Sequence, residues 1–398
     1  MSVTAARGFR AAGVCAGLKA SGKPDLALVV NDGPLDTAAG VFTTNRVVAA
    51  PVVWSRRLLA GQEGGRPGHA RAVVLNSGSA NACTGEQGLR DTEATAACTA
   101  GLLRTEPGQV LVCSTGVIGE RIDMPVLLEG IDVAALALAD TPRAGTDAAT
   151  AIMTTDTVSK EDVLTVGTGE KGWTIGGMIK GVGMLAPGLA TMLAVITTDA
   201  VLTPREAQDA LASVTARTVN RINSDGCMST NDTVLLLASG ASGVTPSRAE
   251  FDEALTDVMG RLGRRLVADA EGATHDIAIT VSGAVSEAAA EAAARTVSSS
   301  NLLKCAVAGA DPNWGRVLSQ LGTVPEDVCP FNPDEVDVTI NGVTIFRHGA
   351  PDQDRDSVDM SPRETRIDIA LSAGQAEATV WTNDLTHGYI TINADYTT

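Results

Sequence analysis

The sequence predicts an α+β fold in which helices pack on layered sheets. Three observations point there. Strand-like and helix-like windows are mixed, without the regular alternation of a doubly wound parallel sheet. Hairpin signals are present, the strongest being Asn341-Gly342 between two alternating segments. No internal repeat or low-complexity linker divides the 398 residues, and 44 % of them are apolar, enough for a large core. Length alone is compatible with two or three domains or with one large layered unit.

In chain order, residues 25–31 (DLALVVN), 38–42 (AAGVF), 72–75 (AVVL) and 109–113 (QVLVC) read as strands between Gly-rich turns. Residues 89–104 and 125–139 read as helices. The stretch 178–190 is rich in Gly and small residues and fits neither template. Thr203-Pro204-Arg205-Glu206 is a capping box with proline at the first helical position, so a helix starts there. Another begins near Thr245-Pro246 and runs toward Glu271. Residues 276–282 (DIAITVS) alternate with period two, as a strand does. The Asn-Gly hairpin spans 336–346, and 365–371 and 376–381 add further strands.

Charge narrows the function classes. Thirty Lys and Arg against 47 Asp and Glu give a net charge of −17. Such a field repels phosphate backbones and anionic membranes, which argues against nucleic-acid binding. A small anion held by a local cation stays compatible with it. A spanning helix needs about 20 apolar residues. The best stretch, 184–196, is shorter and interrupted by Pro187 and Gly188. The first residues show no apolar signal region, so a cytoplasmic protein without a membrane anchor is expected.

The seven cysteines are irregularly spaced and contain no CxxC, which reads as buried, reduced thiols. The four histidines form no ligand-spaced pair, so no metal site is expected. Asp352, Asp354 and Asp356 mimic the start of a calcium loop. Ser357 replaces its glycine and Arg363 its final glutamate, leaving an acidic turn. The glycines around Lys180 are not followed by GK[ST], and no GxSxG elbow occurs. A Cys–His nucleophile, such as Cys227 with His387, stays open.

One segment carries a sharper alternative: residues 180–193, KGVGMLAPGLATML. Thr191 in this apolar stretch reads either as core packing or as the start of a new chain after a cut at Ala190–Thr191. The second reading is chemically coherent. A hydroxyl needs a base, and the α-amine of an N-terminal threonine can serve as one. Its ordinary pKa of about 7.7–8.0 leaves a useful neutral fraction near pH 7. No histidine is required.

This segment resembles the cleavage and nucleophile region of the ornithine acetyltransferase family, the glutamate N-acetyltransferases of arginine biosynthesis. The resemblance extends in family order over 40–45 (GVFTTN), 75–85 (LNSGSANACTG), 114–119 (STGVIG), 152–157 (IMTTDT), 224–233 (SDGCMSTNDT), 269–272 (DAEG), 311–316 (DPNWGR) and 393–398 (NADYTT). It implies that Thr191 is the nucleophile and that Thr115 and Gly116 form the oxyanion hole. It also implies that Thr154, Lys180, Thr191, Glu271, Asn393 and Thr398 bind substrate. Ser79, Ile179 and the tail 394–398 depart slightly from the common family pattern.

The implied fold is an α-β-β-α sandwich like that of N-terminal-nucleophile hydrolases. It would be cut into an α chain, 1–190, and a β chain, 191–398, that share one core and assemble as an α2β2 heterotetramer. The implied reaction moves an acetyl group from N2-acetylornithine to L-glutamate through an acetyl-threonine. No metal or organic cofactor is implied, and acetyl-CoA stays open as a second donor in a bifunctional enzyme. The alternatives are a self-processed amidase or aminopeptidase, a paralogous acetyltransferase of secondary metabolism, and a non-catalytic acidic binding protein.

Physical chemistry gives each position a meaning. Gly116, without a side chain, can bring its N–H close to a developing alkoxide, and the Thr115 hydroxyl can add a second donor. Lys180 can clamp a carboxylate, and Glu271 can hold an ornithine ammonium. In the 311–316 motif, Trp314 is expected to pack and Arg316 to pair with a carboxylate.

Overall fold

A computed structural model describes residues 2–184 and 192–395. Ala190, Thr191 and Thr398 lie outside the described residues. The first part contains β1 Phe9–Val14, β2 Leu26–Asn31, β3 Thr37–Phe42, α1 Ala50–Leu59, β4 Ala72–Ser79, α2 Gly85–Leu103, β5 Val110–Val117, α3 Met124–Ala137, α4 Pro142–Ala151, β6 Lys160–Val166 and β7 Trp173–Lys180. Next come β8 Leu193–Thr198, α5 Pro204–Arg217, β9 Thr233–Ala238 and α6 Arg248–Ala268. The last part holds β10 Asp276–Ala284, α7 Glu287–Ser298, α8 Asn301–Ala308, α9 Trp314–Leu321, β11 Asp337–Ile340, β12 Val343–Arg347, β13 Ala350–Pro351, β14 Glu364–Ala370, β15 Ala376–Asn383 and α10 His387–Asp395.

Two sheets stack face to face. One has the order β1-β2-β4-β5, the other β3-β9-β8-β7-β6. Side-chain alternation along the central strands divides the interior into two cores. Leu193, Val195, Leu235 and Leu237 join the first sheet and helices α1 to α4. Ala194, Ile196, Val234 and Leu236 face the other way, onto α5 and α6. The layers therefore run helix, sheet, sheet, helix, as the α+β sandwich expectation has it. Both cores draw residues from before and after position 190.

The second half adds a core of its own, which the sequence reading did not separate. Strands β10 to β15 form a sheet of order β13-β12-β11-β14-β10-β15, with α7 and α9 packed on it. Trp314 stacks on Phe346 with ring centroids 4.8 Å apart, as expected of a packing residue. Arg316 corrects the expectation beside it. Its Nη1 donates to the Leu302 carbonyl at 2.5 Å, and among the described residues it pairs with no carboxylate.

Three local expectations also change. Residues 178–180 complete strand β7 instead of lying outside any element. The small residues before them are there for close packing. A Cβ at Gly176 would sit 2.4 Å from the Ser2 carbonyl oxygen, and one at Gly177 2.6 Å from Ile196. Helix α6 starts two residues later than read, because Ser247 and Glu250 complete the capping box. Of the cysteines, only Cys113 and Cys329 are buried; all seven are unpaired. The hairpin signal is realised by Asn341 and Gly342, at φ 47° and 84°. No helix among the described residues is long and apolar enough to cross a membrane.

Candidate active site

Strands β4 and β5 run parallel, and their register sets Ser77 beside Thr115 and Gly78 beside Gly116. At that point the two backbones nearly touch. A Cβ on Gly116 would lie 2.3 Å from the Gly78 carbonyl carbon, and Gly116 has φ +132°. Only glycine fits. Gly116→Ala is expected to force β5 apart at this point. It should lower the melting temperature. A variant that melts at the native temperature would exclude so close an approach of the two strands.

The end of β7 approaches the same place. Lys180 is buried, and its Nζ donates to Thr115 Oγ1 at 3.3 Å. An ammonium has donors only, so the threonine oxygen accepts and its own hydrogen is left to donate. Burial lowers the Lys180 pKa, and Asp156 works against that shift. Across the antiparallel β7–β8 pair, Lys180 lies opposite Leu193. Met192, bonded to Thr191, immediately precedes it.

Asp156 ties this corner together. Its Oδ1 accepts from Lys160 Nζ at 2.7 Å and from the Gly181 N–H at 2.8 Å. Its Oδ2 accepts from the Thr154 N–H at 3.0 Å. Lys160, with its side chain fully buried, is held from its other side by Asp269 at 2.6 Å. Burial alone would raise the Asp156 carboxyl, but Lys180 and Lys160 outweigh it and hold it at about 2.

This gives a signed expectation for acid stability. The folded value lies below the ordinary 3.8. The carboxylate therefore contributes its full stabilisation above the ordinary value and loses it as pH falls toward the folded one. The gap corresponds to about 2 kcal/mol. Thermal midpoints measured from neutral pH down to strongly acidic pH should drop across that window. The Asp156→Asn protein should show a shallower acid slope, and identical slopes would refute the assignment.

Glu271, just past the end of α6, forms the opposite wall. Its Oε1 accepts from Thr155 Oγ1 at 2.9 Å, and its Oε2 accepts from Asn393 Nδ2 at 2.9 Å. Asn393 sits on α10, so the tail is docked and not frayed as far as it is described. The docking needs Gly272, where a Cβ would lie 2.3 Å from the Tyr389 nitrogen. Thr386 Oγ1 adds a hydrogen bond to the Gly272 carbonyl at 2.6 Å.

Thr115, Gly116, Thr154, Lys180, Glu271 and Asn393 all line one cavity of about 270 Å³. These are all the expected site residues that the structure describes. Sequence reasoning missed Thr155, Asp156, Asp225 and Tyr389, which line or brace it. The 152–157 and 224–233 motifs contained three of them. Cys227 also borders the cavity, but burial and Asp225 raise its thiol, and no Cys–His hydrogen bond forms among the described residues. A thiolate nucleophile is thereby disfavoured. Chemically, the cavity offers a cation and a carboxylate on separate walls, with a hydroxyl and a glycine backbone between them. It suits a small amino acid that carries both charges.

Comparison with known proteins places the chain among characterised families. The ArgJ family profile matches residues 10–398. The chain is 58 % identical over 398 residues to the arginine biosynthesis bifunctional protein ArgJ of Bifidobacterium longum (strain NCC 2705), covering 100 % of each. It is 54 % identical over 396 residues to the protein of the same name from Streptomyces coelicolor, again covering 100 % of each. It is also similar to the crystal structure of ornithine acetyltransferase complexed with ornithine from Mycobacterium tuberculosis. That likeness has 52 % identity over 48 % of this chain and 96 % of the other, with a TM-score of 0.44. With the profile match reaching from β1 to the last residue, the chain belongs to the ArgJ family.

Proposed function

We propose that this protein is a glutamate N-acetyltransferase of arginine biosynthesis that moves the acetyl group of N2-acetylornithine to L-glutamate. The observation that carries the reading is the single cavity where Thr115, Gly116, Lys180 and Glu271 converge, beside the strand that begins just after Thr191. The chain is cut at Ala190–Thr191 into residues 1–190 and 191–398. The freed α-amine of Thr191 takes the proton of its own hydroxyl, which attacks the acetyl carbonyl. The Gly116 N–H and the Thr115 hydroxyl stabilise the oxyanion. Ornithine leaves as the amine reclaims the proton from the ammonium, and the acetyl group remains as an ester on Thr191.

Glutamate then enters and its amine removes the acetyl. Lys180 holds a substrate carboxylate, Glu271 the side-chain ammonium of ornithine, and Thr154, Asn393 and Thr398 complete the site. No step calls on a metal or an organic cofactor, and acetyl-CoA serves as a second donor in the bifunctional form. The two chains assemble as an α2β2 heterotetramer in the cytoplasm.

Mass spectrometry after incubation with N2-acetylornithine tests the reading. It predicts two chains, the later one carrying an acetyl adduct that glutamate discharges. Acetate released equally fast without glutamate would instead identify an amidase.

A further inference from the structure

Two carboxylates face the substrate cavity, Glu271 and Asp225, and the proposed mechanism uses only the first. Asp225 comes from the segment between α5 and β9. A short piece of chain ties the two acids together. The Glu271 N–H donates to the Val182 carbonyl at 3.0 Å, and a Cβ on Gly183 would lie 2.9 Å from Glu271 Oε2. The next residue, Met184, donates its N–H to Asp225 Oδ2 at 2.6 Å. The Cys227 N–H donates to Oδ1 at 3.1 Å, so the Asp225 carboxylate is fixed at both oxygens.

Positive charge is scarce around this pair. Lys180 is the one cationic side chain lining the cavity among the described residues, and it is hydrogen-bonded to Thr115. Lys304 of α8 is buried nearby, but its ammonium donates to the Ser224 carbonyl. The Tyr389 hydroxyl approaches Asp225 Oδ2 only to 3.5 Å, too far for a strong bond. Burial raises the Asp225 carboxyl and the charge of Glu271 adds to this, while the Cys227 and Met184 N–H groups and Lys304 oppose it. Two acids on one small cavity repel each other, and a cation bound there relieves both.

We propose that Asp225 is a specificity-determining residue for the acetyl donor: together with Glu271 it selects a substrate whose side chain ends in an ammonium. The proposal rests on the reading of the cavity as an N2-acetylornithine site and deepens it. With the α-carboxylate held by Lys180, the side chain of ornithine carries its ammonium toward the acidic wall. Glutamate enters the same cavity and brings a carboxylate to that wall, where it meets repulsion. The charge that draws the donor in therefore works against the acceptor. Removing it should act on the two substrates in opposite directions, which a merely structural role would not do.

The test compares two donors in the full protein: N2-acetylornithine and N2-acetylnorvaline, which has the same side chain without the ammonium. The ratio of their kcat/KM values, taken within one protein, cancels general damage to the site. Asp225→Asn keeps the side-chain volume and removes the charge. It should lower that ratio by about 10-fold or more, the scale of one hydrogen bond to a charged group, while KM for glutamate stays level or falls. Glu271→Gln leaves Asp225 in place, so a preference for N2-acetylornithine should persist in it. An unchanged ratio in Asp225→Asn, or a higher KM for glutamate, would overturn the proposal while leaving the acetyltransferase reading intact. Should the Asn variant fail to fold, loss of all preference in Glu271→Gln would overturn it instead. Wild-type protein that transfers acetyl from neither donor would sink the acetylornithine reading, and the role of Asp225 with it.

Discussion

Thr191→Ala is expected to yield a single uncut chain of 40.7 kDa, against two bands of about half that size for the wild type. Transfer from N2-acetylornithine to glutamate should fall below roughly one-thousandth of the wild-type rate, as when a nucleophile is removed from other acyl-transfer enzymes. The effect is this large because, in the proposed mechanism, one residue supplies both the attacking oxygen and, after the cut, the amine that deprotonates it. Thr191→Ser keeps the hydroxyl and should retain part of both activities. Full activity in the alanine protein, measured by acetyl-glutamate formation, would remove the central residue from the mechanism.

Asp156→Ala should have the second largest effect, and through a different route. It leaves the Lys160 ammonium, buried beneath the site, with Asp269 as its remaining ion-pair partner. It also takes from Lys180 the carboxylate that opposes its loss of charge. Breaking a buried ion pair from one side typically costs about 3–5 kcal/mol. The melting temperature should therefore fall by several degrees. Because Lys180 would then shed its proton more readily, KM for both substrates should rise, and rise further with pH. Asp156→Asn, which preserves hydrogen-bond acceptance but not charge, separates the two contributions. An unchanged melting temperature and KM would show that Asp156 supports neither the fold nor Lys180.

The fold was legible wherever the signal is local. The capping box at Thr203 and Glu206, the Asn341-Gly342 turn and the period-two strands each depend on neighbours within a few residues. Strand β7 was not, because its Gly176 and Gly177 answer to Ser2 and Ile196, which are remote or on the adjacent strand. The site divides in the same way. Thr115, Gly116 and Lys180 could be named only through family resemblance, since their meaning comes from strand ends meeting in space. Thr155 bonds Glu271 across 116 positions, and Thr157 and Lys160 reach Asp269 across 112 and 109. No spacing rule exposes such pairs. Asp156 had a nearer clue in Lys160, four residues on, yet nothing local tells a buried ion pair from a solvated one.

The pairing of β7 with β8 has a consequence for how the protein can be produced. The bond at 190–191 lies between two strands that are direct neighbours inside a five-stranded sheet, with Lys180 opposite Leu193. Severing it opens a seam whose edges stay laced by backbone hydrogen bonds and by cores to which both pieces contribute. A split gene that expresses the pieces 1–190 and 191–398 together should therefore reconstitute one particle that melts in a single transition. Either piece expressed alone would carry an unpaired strand edge and a stripped apolar face, and should precipitate.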